Sequence, residues 1–168
     1  LAPNATGMSW TAEQGGIAAA QQKHNVIMTP QTTGLYFDHY QSRSPLEPVS
    51  FGRYATLSET YNYDPVPKAL TDDEKKYIIG VQGNLWTEYV PTVEKLQYQI
   101  MPRLFALSEV AWSDPAKKDY KDFSEVRLAK HFARLEAMHY NYRVPTAFEV
   151  IDTMMIGSQF VMAPKSVV

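Results

Sequence analysis

At 168 residues, with 45% hydrophobic and 12% aromatic content, the chain has the make-up of one globular domain and is not a disordered one. A net charge of −2, with the lysines and arginines scattered and not striped along one face, supplies no field to hold nucleic acid. The absence of cysteine removes disulfides, thiolate metal ligands and a cysteine nucleophile, and no apolar run is long enough to span a bilayer.

In chain order, "ATGMSW" reads as a short strand passing into a helix over "TAEQGGIAAAQQKH", with Thr11 as its N-cap and Glu13 in the first turn. "NVIMTP" is a β-branched strand ended by Pro30, and "QTTGLYFDHYQ" carries it to a polar mouth where Tyr36, Asp38 and Tyr40 share a period-two face. Ser42 to Pro67 reads as a long loop with one helical turn around Leu57 to Tyr61. "TDDEKKY" starts a short helix and "IIGVQGNLW" is the third strand, so helical or loop material separates each strand from the next, the βαβ rhythm of a parallel sheet.

After Pro91, the apolar positions Val93, Leu96, Ile100, Leu104, Leu107 and Ala111 step by threes and fours, predicting one long helix with a core-facing stripe, kinked at Pro102. Arg103 and Glu109 beside the stripe are expected to be paired and structural, and Trp112 to be core. A last helix, roughly Tyr120 to Met138, presents Leu128, Phe132 and Leu135. "NYRVPTAFEV" reads as a linker. The opening Leu1 and the strand-like ending "QFVMAPKSVV" read as the bounds of an excised piece.

Three strand ends carry polar or aromatic residues: Ser9 with Trp10, Tyr36 with Asp38, and Trp86 with Glu88 in "VQGNLWTEYVP". In a parallel α/β sheet or barrel such ends lie at one face, where sites are built. Strand alternation makes Trp86 and Glu88 point the same way, an apolar plate beside an acceptor of hydroxyl protons. That pairing suits a sugar ring, with its apolar C–H face and its rim of hydroxyls. Taken singly, Trp10 also fits a core indole, and Tyr36 with Asp38 a mutually satisfied surface pair. His24, His39, His131 and His139 lack the spacing of a metal site, and no glycine-rich phosphate loop is present, so no metal or cofactor is expected.

The ordered set "MSW", "VIMTP" with "YFDHYQ", "YDPVP", "GVQGNLWTEY" and "MPRLFALSEVAWS" resembles the C-terminal part of the β-N-acetylhexosaminidases of glycoside hydrolase family 20, from about Ala5 to Pro145. The resemblance implies an α/β fold, the last three units of a (β/α)8 TIM barrel over residues 1–145. Residues 146–168 would then be a linker and the first strand of an appended β-module. It also implies removal of terminal N-acetylglucosamine or N-acetylgalactosamine from glycans with retention, the substrate's own acetamide oxygen serving as nucleophile. On the same ground Tyr36 is the catalytic residue that steadies the acetamide, Trp10 and Trp86 wall the sugar, and Asp38 and Glu88 hold its O4 and O6 hydroxyls. The family's Asp-Glu catalytic pair belongs to a fourth strand outside this chain, so the chain alone is expected to be inactive.

Many members place a further tryptophan in the loop after the seventh strand; Gln41 to Pro67 has none, and Tyr54 or Tyr61 is the expected substitute. Bacterial members commonly act outside the cytoplasm, and three strands of a barrel are expected to self-associate through their open edges. Two other readings use the same residues: a non-catalytic carbohydrate-binding module, and an interaction protein whose aromatics are core.

Overall fold

The computed structural model describes residues 1–145; the expected linker and β-module strand at 146–168 lie outside them. Three short parallel strands form the central sheet: β1 (Gly7–Ser9), β2 (Val26–Met28) and β5 (Ile78–Val81), in the order β1-β2-β5. Gly7 pairs with Val26 and Ser9 with Met28, and Met28 also pairs with Val81, so β2 lies in the middle. Its Val26 and Met28 are buried accordingly. Helix α1 (Glu13–Gln21) crosses from β1 to β2, as a parallel connection requires. Its cap departs from expectation: Ala12 occupies the N-cap without a side-chain bond, and the Ser9 hydroxyl accepts from the Gly16 N–H at 3.0 Å.

The long segment after Gln41 is more ordered than its prolines and serines suggest. Strand β3 (His39–Tyr40) pairs in parallel with β4 (Phe51–Tyr54), and α2 (Leu57–Asn62) starts with a reciprocal cap between Thr56 and Glu59. Gly34 has φ +72, and a Cβ there would meet the Thr60 backbone nitrogen at 2.8 Å, so only glycine lets α2 pack this closely. Helix α3 (Asp72–Lys75) leads into β5.

The helix expected after Pro91 is two helices. α4 (Val93–Ile100) ends because Met101, preceding Pro102, is extended at φ −96 and ψ 135, and α5 (Arg103–Trp112) begins afresh. The predicted stripe is not the buried one: Val93, Leu104 and Ala111 are exposed, while Tyr98, Gln99, Arg103, Ala106 and Val110 are buried, and Trp112, expected in the core, is 89% exposed. α6 (Tyr120–Asp122) continues through a π-turn at Phe123–Arg127 into α7 (Leu128–Ala137). Leu128 and Leu135 are buried there, as the periodicity predicts. Glu109 is paired, to Arg127 at 2.5 Å.

Two cores result. One joins Ala20, Val26, Met28, Leu35 and Val110 across the sheet; the other joins Leu57, Tyr61, Ala106, Phe123 and Leu128. Each large apolar side chain so buried contributes about 1.5–3 kcal/mol. Residues Asn141 and Arg143, read as linker, are docked: the Asn141 N–H donates to Gln97 Oε1 at 2.9 Å and the Arg143 N–H to the Met101 carbonyl at 3.2 Å.

Candidate active site

The parallel register brings the residues that follow β1, β2 and β5 to one edge of the sheet. The Thr29 N–H donates to the Ser9 carbonyl, the Gln31 N–H to that of Trp10 and the Gln82 N–H to that of Met28, extending the ladder past the strand ends. Asn84 then stitches the edge together. Its side-chain amide donates to Thr29 Oγ1 at 2.8 Å and accepts from Gln82 Nε2 at 2.6 Å, and its backbone exchanges bonds with Leu35 and Phe37 in a parallel bridge with Tyr36.

Tyr36 and Asp38 share one segment here, but not through strand alternation. Residues 37 and 38 form a turn, closed by the His39 N–H on the Tyr36 carbonyl at 3.2 Å. Gly83 leaves room for that turn, because a Cβ on it would meet the Phe37 ring at 2.8 Å. Tyr36 is 3% exposed, and neither its hydroxyl nor Asp38 Oδ1 has a hydrogen-bond partner among the described residues. Burial pushes the Asp38 carboxyl above the usual carboxylate range, its own backbone N–H opposes this, Glu88 adds to the rise, and Arg103 lowers it. The Glu88 charge thus acts on the Asp38 carboxyl.

Trp86 and Glu88 lie beyond β5, outside regular structure, so the period-two argument does not apply to them either. The Trp10 and Trp86 side chains are 54% and 56% exposed, open to a flat partner, and among the described residues neither stacks on another ring. The core alternative for Trp10 therefore does not describe this chain. Nor are Tyr36 and Asp38 a surface pair, since both are buried.

The expected tyrosine substitutes are both occupied. Tyr61 is 1% exposed in the second core, and the Arg43 guanidinium covers the Tyr54 ring at 4.6 Å from its centroid. Phe51 stands beside the site instead. Its N–H donates to the Asp38 carbonyl at 3.0 Å, and its half-exposed ring stacks on His39, which in turn lies 5.7 Å from Tyr36. Burial holds the His39 imidazole at a pKa of about 4, with Arg103 and Arg53 contributing, so it is a neutral spacer between two aromatic rings. The sequence signal for Phe51 is its position directly after the proline-rich loop "SPLEPVS", where an exposed aromatic has no core to join. Among the described residues no cluster of three or more His, Asp or Glu could hold a metal, and no helix is long and apolar enough to cross a membrane.

Residues 1–115 match the model of the glycosyl hydrolase family 20 catalytic domain. A β-hexosaminidase of Porphyromonas gingivalis is 50% identical over 145 residues, 86% of this chain and 18% of that protein. A β-hexosaminidase of Vibrio furnissii is 37% identical over 103 residues, 60% of this chain and 16% of that protein. The family 20 exo-β-N-acetylglucosaminidase of Vibrio harveyi, solved in complex with N-acetylglucosamine, superposes with a TM-score of 0.74 at 33% identity over 82% of this chain and 22% of that one. The chain therefore spans about a fifth of the length of the relatives it matches. Its mixed α/β fold is shared with TIM-barrel enzymes, and on the match over residues 1–115 together with the half-identical relative, the chain belongs to glycosyl hydrolase family 20.

Proposed function

We propose that this chain supplies the last three β/α units of a (β/α)8 barrel and that a full-length protein carrying it removes terminal N-acetylhexosamine from glycans by retaining, substrate-assisted hydrolysis. One observation carries the reading: two buried polar groups without partners, the Tyr36 hydroxyl and Asp38 Oδ1, at the sheet edge that also bears two exposed indoles. A buried polar group left unpaired costs about 1–3 kcal/mol, a cost that a bound pyranose removes. The acetamide oxygen accepts from the Tyr36 hydroxyl, the Asp38 and Glu88 carboxylates accept from ring hydroxyls, and the indoles cover the apolar faces.

In this scheme the Tyr36 donor fixes the acetamide so that its oxygen faces the anomeric carbon it attacks. Proton delivery to the leaving oxygen falls to the acidic pair expected on the fourth strand. The isolated chain is then inactive towards an aryl N-acetylglucosaminide, while the full-length protein turns it over. Turnover by the isolated chain overturns the division of labour. Sugar binding without hydrolysis by the full-length protein favours a carbohydrate-binding module. The same isolated chain is expected to sediment as dimers or larger species, because β1 and β5 are open edges and Ile79 and Trp112 are exposed.

Phe51 takes the leaving-group side in this reading, where the family's loop tryptophan is missing. Phe51→Ala lowers kcat/KM of the full-length protein about threefold to tenfold for a disaccharide, the worth of one stacked ring contact. A methyl glycoside, with nothing to stack, is expected to lose far less, and equal losses on both substrates remove Phe51 from that role.

A further inference from the structure

Three consecutive backbone carbonyls, those of Phe37, Asp38 and His39, are held from behind by two side chains, Gln99 near the end of α4 and Arg103 at the start of α5. Gln99 Nε2 donates to the Asp38 carbonyl at 3.2 Å and to Ser50 Oγ at 2.9 Å. Arg103 Nη2 donates to the Phe37 carbonyl at 2.6 Å, and Nη1 to those of His39 at 3.3 Å and Ala55 at 2.8 Å. Its remaining donors go to the Gln99 carbonyl, so all five guanidinium N–H groups are used on backbone oxygens. Both side chains are fully buried, and among the described residues Arg103 has no carboxylate in ion-pair contact.

Burying an arginine on carbonyls alone is costly, and Gln99 retains a further cost, since its Oε1 has no partner. What these two residues do in common is fix the turn that carries Asp38 while leaving its Oδ1 unengaged. The carbonyls are tied, and the carboxylate is aimed. We propose that Gln99 and Arg103 are positioning residues that set the direction of the Asp38 carboxylate, and through it the discrimination between sugars differing in configuration at the hydroxyl Asp38 accepts. This rests on the reading of Asp38 as a sugar-hydroxyl acceptor.

The test uses the full-length protein and the ratio of kcat/KM for an aryl N-acetylglucosaminide to that for the matching N-acetylgalactosaminide. Partial misfolding lowers both values equally and leaves the ratio unchanged, so a merely structural role does not move it. Asp38→Asn is expected to shift the ratio by about tenfold or more, as for a site built around one hydroxyl. Gln99→Met and Arg103→Lys are expected to shift it in the same direction by about threefold to tenfold, the scale of a slightly misplaced polar contact. Should Arg103→Lys fail to fold, Gln99→Met decides, because methionine removes an unpaired buried oxygen together with the donor. A ratio moved by Asp38→Asn but not by Gln99→Met overturns the inference alone. A ratio unmoved by Asp38→Asn overturns the sugar-acceptor reading of Asp38 and the inference with it.

Discussion

Phenylalanine in place of Tyr36 is expected to lower kcat of the full-length protein by about two orders of magnitude, the scale of misplacing an attacking group by about 1 Å, while leaving the fold as stable as before. The two halves of this expectation come from the same atom. The Tyr36 hydroxyl is buried and bonds to nothing among the described residues, so deleting it breaks no contact in the free protein and relieves a desolvated group. The ring stays, and with it the contact to His39 at 5.7 Å. A tyrosine retained for stability gives the opposite pattern, a lowered melting temperature with kcat nearly intact. Steady-state kinetics and thermal unfolding of one variant therefore separate the two roles.

Glu47→Ala is expected to cost about 3–5 kcal/mol of stability, the penalty for breaking a buried ion pair from one side. Glu47 sits in the loop between Asp38 and Phe51 and joins three elements. It accepts from Arg143 Nε at 2.5 Å, from Ser42 Oγ at 2.8 Å and from the Tyr98 hydroxyl at 3.2 Å. The Glu47 and Arg143 side chains are only 3% and 5% exposed, so water does not replace the lost carboxylate. The pair ties the end of the described chain to the loop that carries the site. Urea unfolding measures the loss, and Glu47→Gln, which keeps hydrogen-bond acceptance without the charge, is expected to lose less. A change below about 1 kcal/mol, the range of surface ion pairs, contradicts this account of the loop.

The three parallel strands were legible because the local signals agree: short apolar runs, β-branched in β2 and β5, separated from one another by helix or loop and followed by aromatic and polar residues. Three features were not. The order within Ser42–Pro67 was hidden because β4, "FGRY", pairs only with the two-residue β3, and its side chains are exposed, so no apolar alternation marks it. The pairing of Tyr36 with Asp38 comes from a turn between two strands, not from the pleat, and a turn without proline or glycine at its centre leaves little trace. The buried face of α4 and α5 was misread because hydropathy assigns Gln99 and Arg103 to solvent. What selects that face is the hydrogen-bond demand of three backbone carbonyls more than 60 residues earlier in the chain, and no pattern local to the helix reports it.

A crystal structure of the full-length protein with N-acetylglucosamine tests the central claim most directly. The account predicts the acetamide oxygen at about 2.7 Å from Tyr36 Oη, the usual O–H···O distance, with ring hydroxyls on Asp38 and Glu88 and an indole against the sugar. A sugar bound away from this edge, with Tyr36 and Asp38 still unpartnered, contradicts it.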